Sequence, residues 1–152
     1  MKKQTLMGAV IGALVAGSIV GGATIALAQA DVVKQRQDNR KETAATMRSI
    51  KGVIDAKGDV KAVVASAAKL KQLENAFDKM FPPGSDKGDT KALPTVWSDM
   101  PGFLAASKNL DAAYDKLAVA AGSGDLAAVT AAFGDTGKAC GACHDKFRAK
   151  AN

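Results

Sequence analysis

Apolar residues recur every three to four positions along four stretches of this chain, and no stretch alternates with the period of two that marks a strand. The first stretch runs from about Asp31 to Ala56, with a stripe at Val33, Arg36, Arg40, Thr43, Met47, Ile50 and Ile54. The second runs from about Asp59 to Phe81, with Val60, Val63, Ala67, Leu70, Phe77 and Met80 on one side. Gly58-Asp59 reads as the tight turn between them, with Asp59 as a cap. Pro82-Pro83-Gly84 stops the second helix, and the polar stretch to Pro94 is too rich in Gly, Asp and Lys to bury itself. A third helix is expected to begin at or shortly after Pro101, since Pro suits a helix's first turn. Its stripe is Phe103, Ala106, Leu110, Tyr114 and Leu117. Gly122-Ser123-Gly124 ends it, and Asp125 opens a fourth helix striped by Leu126, Val129, Phe133, Gly137, Cys140, His144 and Phe147. Helices of this length joined mainly by short turns pack as antiparallel neighbours. The expected fold is therefore all-α, an up-down-up-down four-helix bundle.

The chain has 152 residues, the size of one domain. Residues 1–30 do not share the pattern. Lys2 and Lys3 precede an almost unbroken apolar and small-residue run from Leu6 to Ala28, and two small-residue junctions follow, at Ala28 and at Ala30. This is the layout of a cleaved signal peptide, with an uncleaved anchor as its alternative. Cleavage at the second junction leaves a domain of residues 31–152 in the periplasm. Without Lys2 and Lys3, nineteen basic residues face fifteen acidic ones, a net charge of +4. Acids and bases are interleaved, as in Asp38-Asn39-Arg40-Lys41-Glu42, rather than gathered with aromatics, so no nucleic-acid surface is expected.

The chemistry concentrates in Cys140-Gly141-Ala142-Cys143-His144, a C-x-x-C-H sequence of the kind that attaches a c-type haem. Positions i, i+3 and i+4 of a helix share one face. Two thiols placed so can add to the vinyl groups along one porphyrin edge, while the adjacent imidazole meets the iron as its axial ligand. A structural zinc site wants four ligands, and the chain holds two Cys and one His. A thioredoxin-like pair belongs near a βαβ pattern, which is absent here, and a plain disulfide gives the adjacent histidine no role. One covalent haem c is the expected cofactor. Because His144 is the only histidine, a sixth ligand would be Met, Lys, water or nothing, with Met47, Met80 and Met100 as the methionine candidates.

A haem motif near the C-terminus of a four-helix chain resembles the class II cytochromes, cytochrome c′ and its low-spin, methionine-ligated relatives. The resemblance spans nearly all of residues 31–152. It rests on Arg36-Gln37, on Pro94-Thr95-Val96-Trp97-Ser98-Asp99, on Ala132-Phe133-Gly134-Asp135-Thr136-Gly137 and on Cys143-His144-Asp145-Lys146-Phe147-Arg148. It implies that Arg36 lies near the haem propionates and that Arg148 is the basic residue beside the axial histidine. A cation near a helix C-terminus is also favoured on its own account. Trp97 matches a loop tryptophan, read more simply as an anchor for the loop. Arg40 departs from the pattern, for the resemblance puts Leu, Phe, Tyr or Met there, on the haem's distal side. Either Arg40 sits beside an open distal face, or the helix turns so that Arg40 reaches water and Met47 ligates.

Three functions follow as expectations. The first is one-electron transfer between redox partner proteins. The second, implied by the resemblance, is NO or CO binding at a five-coordinate haem, as scavenger or sensor. Peroxide chemistry could draw on Arg40 but has no distal His to move protons, so no enzyme is expected. The resemblance also implies pairing of two copies through the first two helices.

Overall fold

The computed structural model describes residues 20–150. Helix α1 spans Val20–Asp55, α2 spans Val63–Phe77, α3 is a single turn at Thr95–Ser98, α4 spans Met100–Ser123 and α5 spans Leu126–Phe147. Most of the proposed signal peptide lies outside the described residues. Both cleavage junctions fall inside α1, which starts earlier than the expected Asp31. Among the described residues no helix is long and apolar enough to cross a membrane.

Local chemistry sets the boundaries. Asp59 accepts a hydrogen bond from Lys61 N at 3.0 Å and opens a short 3₁₀ turn at Val60–Ala62, so α2 begins four residues later than its apolar stripe suggests. It also ends earlier, at Phe77, and Asp78–Met80 continue only as a turn and a bend. Asp99 accepts from Gly102 N at 3.1 Å and caps α4, one residue ahead of Pro101. A Cβ on Gly102 would stand 2.3 Å from the Asp99 carboxylate, which explains the glycine. Gly124 ends α4 in the left-handed region at φ 76°, and Asp125 then caps α5 by accepting from Ala127 N at 2.8 Å.

The four long helices form the expected bundle, with α4 packed on α2 and α5, and α1 on α2 and more lightly on α5. One end of the bundle is an aliphatic core of Ile50, Val60, Val63, Ala67, Leu70, Leu110, Leu117, Ala121 and Val129, closed by Tyr114. The other end is aromatic: Phe81, Phe103 and Phe147 are buried with Val96, and Phe77 and Trp97 pack against them. Their rings meet largely edge to face, Phe81 to Phe103 at 4.8 Å and Phe103 to Phe147 at 5.5 Å between centroids.

The polar stretch between α2 and α3 is held down at both ends. Trp97 Nε1 donates to Pro82 O at 3.1 Å, so the tryptophan anchors the loop as the simpler reading expected. Ala92 pairs with Arg148 in an isolated antiparallel bridge, with Leu93 N donating to Phe147 O at 2.9 Å and Ala149 N to Lys91 O at 2.8 Å. The loop is thereby tied to the end of α5.

Candidate functional site

Cys140, Cys143 and His144 lie on the last turns of α5, where the two cores meet. Cys140 packs against the aliphatic core and Cys143 against the aromatic one, so the motif straddles the junction. Both thiols are free and half-buried. Burial, followed by the nearby Glu74 carboxylate, pushes the Cys143 thiol up to about 11 and raises Cys140 as well. His144 is shifted the other way. Burial, then the Arg148 and Arg40 cations, lowers its pKa and keeps the imidazole neutral, the form that binds metal. Arg148 Nη1 stands 3.5 Å from His144 Nδ1, and a small cleft bordered by His144, Asp145, Arg148 and Ala149 opens beside them.

Arg40 of α1 acts through its charge on Cys140, Cys143 and His144, and Arg36 lies one turn before it on the same helix. Arg36 is 5% exposed, although it carries a charge. Its Nη2 donates to Ser85 O at 2.5 Å, and its guanidinium lies 4.8 Å from the Phe81 ring centre and 5.6 Å from that of Trp97. Its Nε and Nη1 are buried with no partner among the described residues. Two open donors on a buried cation suit an anion such as a haem propionate. A haem therefore fits on both counts, with thiols and imidazole on one helix face and a waiting cation for the propionate edge.

Arg40 is not turned out to water, its side chain being 30% exposed. Nη1 donates to Glu74 Oε2 at 2.8 Å, Nε donates to Asn39 Oδ1 at 3.0 Å, and the guanidinium sits 3.6 Å from the Phe77 ring centre. Ser107 Oγ donates to the other Glu74 oxygen at 3.1 Å, so both oxygens of this 3%-exposed carboxylate are satisfied. Met47 packs against the aliphatic core, as an ordinary core residue would, while Met80 and Met100 pack against the aromatic core with Cys143.

Sequence reasoning missed Glu74 and Ser107. The signal was present: Glu74 continues the stripe Val63, Ala67, Leu70 at helical spacing, and Ser107 lies between Phe103 and Leu110 on the buried face of α4. A carboxylate on an apolar stripe announces a buried partner.

Residues 31–148 match the cytochrome c′ family. The chain is 46% identical to cytochrome c′ of Rubrivivax gelatinosus over 60% of its own length and 72% of that protein. It is 35% identical to cytochrome c′ of Alcaligenes xylosoxydans xylosoxydans, covering 79% of this chain and 94% of the relative. The crystal structure of the Rubrivivax gelatinosus protein superposes with a TM-score of 0.70 at 38% identity, over 79% of this chain and 96% of that one. A nitric oxide complex of an Alcaligenes xylosoxidans cytochrome c′ variant superposes with a TM-score of 0.73 at 34% identity, over 81% of this chain and 97% of that one. The chain belongs to the cytochrome c′ family and is a haem protein, with one covalently bound haem c.

Proposed function

We propose that this chain is an exported monohaem cytochrome that carries single electrons between periplasmic redox partners, and that residues 1–30 are the signal peptide removed on export. Cys140 and Cys143 would hold the haem through two thioether bonds, and His144 would ligate its iron. The haem, when bound, supplies a one-electron ferric/ferrous couple. The observation that carries the reading is the single face of α5 on which two half-buried thiols and a neutral imidazole stand together.

Other residues tune that couple. Arg36 offers its two open donors to the propionates and holds a positive charge in the aromatic core. This favours the reduced, less positive state. Arg40 contributes less in that direction than its charge suggests, because Glu74 neutralises it. Arg148 sets a positive charge beside the imidazole, 3.5 Å from Nδ1. We assign the protein no catalytic reaction.

A second reading is favoured by Arg40 standing where the low-spin relatives carry a methionine. A guanidinium stays protonated and cannot ligate iron. Met47 is committed to the aliphatic core. A five-coordinate haem that binds NO or CO follows, and cytochrome c′ variants from Alcaligenes xylosoxidans are known as NO and CO complexes.

Two measurements test these readings. Protein matured in a host competent for cytochrome c assembly should exceed the bare polypeptide by the mass of one haem. A colourless product of bare polypeptide mass would sink both. The ferrous visible spectrum then separates them: sharp alpha and beta bands that ignore CO support the electron carrier. A broad high-spin band that shifts on CO addition supports gas binding.

A further inference from the structure

Beyond the Arg36 donors, four buried polar atoms lack a partner among the described residues, and they belong to one neighbourhood. They are Arg40 Nη2, Asp78 Oδ1, Asp111 Oδ1 and Tyr114 Oη, two donors and two carboxylate oxygens. Glu74 is common to them: it pairs with Arg40, lies one turn before Asp78 on α2, and exerts its charge on both Asp111 and Tyr114. Tyr114 is 1% exposed, and its hydroxyl lies in the field of Cys140, Glu74, Arg40 and Asp111. Ser107, which donates to Glu74, is one turn before Asp111 on α4. A chain of exchangeable groups thus runs from the haem-binding face toward the half-buried Asp78 and Asp111. Four unpartnered polar atoms among such groups are the setting that internal water occupies.

We propose that the Asp111 carboxylate, one turn beyond the Ser107 that binds Glu74, is a redox-linked proton site, binding one proton from solvent when an electron enters the haem from a one-electron donor. The same proton returns to solvent when the electron leaves to an acceptor, so charge balances in both directions. The inference rests on the haem docking against α5 as proposed above. An arriving electron subtracts one positive charge from the neighbourhood, and carboxylates there hold a proton more tightly once that charge is gone. Asp111 is already raised toward protonation, first by its own burial and then by Glu74. The charged and titratable groups facing it are Glu74, Lys71 and Asp78 from α2 and its cap, Asp115 and Tyr114 from α4, and, through Glu74, Arg40 from α1; Cys140 and Cys143 of α5 carry no titrating thiol once they hold the haem. Only Arg40 and Lys71 are cationic, and Lys71 is also bonded to Asp115.

The test is the midpoint potential of the haem-loaded protein, followed by spectroelectrochemistry from acid to alkaline pH. Where the oxidised protein has lost the proton and the reduced protein retains it, the potential should fall by up to about 59 mV per pH unit, one proton per electron. The slope should vanish at lower pH, where both states hold the proton, and at higher pH, where neither does. Asp111→Asn, at a half-buried position, should flatten the slope, and Glu74→Gln, which keeps an acceptor for Arg40 but removes the charge beside Asp111, should move the sloped range to lower pH, both leaving the visible spectrum unchanged. A flat profile in the parent protein overturns the proposal. So does a slope that survives in Asp111→Asn, which would assign the proton to the propionates. A colourless product would instead defeat the haem assignment, and this inference with it.

Discussion

The two ends of the bundle differ in what burial leaves unfinished. At the aliphatic end, Leu70, Leu117, Ala121 and Val129 are wholly buried among their own kind, and Tyr114 Oη is the one polar atom they leave unpartnered among the described residues. At the aromatic end the same helices bury Arg36 and, beside it, the Arg40–Glu74 pair, with several donors left open. A core built only for stability would look like the first end throughout. The second end carries charges that cost free energy to bury, and their open hydrogen bonds mark where a non-protein group belongs.

Five experiments probe this contrast. Replacing Cys140 and Cys143 by Ser should abolish covalent haem altogether, so that acidified organic solvent extracts any colour from the protein. Leu117→Ala, at the aliphatic end, should cost about 3 kcal/mol in denaturant unfolding through the cavity it leaves, with the visible spectrum of the haem unchanged. Glu74→Ala should cost about 2 kcal/mol or more by stranding Arg40. That lies below the toll for a fully buried pair, because the Arg40 side chain is 30% exposed. Arg40→Leu should change the CO and NO affinity of the ferrous protein several-fold. Unchanged affinity would remove Arg40 from the distal side. The smallest effect concerns Asp99, whose carboxyl is held below the usual range first by Lys146 and then by Gly102 N. Its contribution is present above the unfolded-state value and fades as pH falls through the lower folded value, so Lys146→Ala should narrow the gap in Tm between neutral and strongly acid solution.

The aliphatic end was largely legible in the sequence. Its stripes on α2, α4 and α5 follow from local spacing, and Asp59, Gly124 and Asp125 mark turns through their own backbone chemistry. The C-x-x-C-H motif was legible for the same reason, since its members are neighbours on one helix. The aromatic end was not. Glu74 and Arg40 are 34 residues apart, and nothing local distinguishes their pairing from two solvated charges. The α3 turn and the bridge from Ala92 to Arg148 likewise depend on α5 being in place, so no window of sequence around them predicts either.

Trp97, the single indole in the chain, sits 5.7 Å from Phe81 at the aromatic end. With a haem nearby to absorb its excitation energy, it should be nearly dark in the folded holoprotein and brighten when that end comes apart. The opposite end has no such lamp. Indole fluorescence, excited apart from Tyr114 at the aliphatic end, therefore watches one half of the molecule only, and comparing it with circular dichroism, which sees every helix, would reveal whether the two halves let go together or in turn.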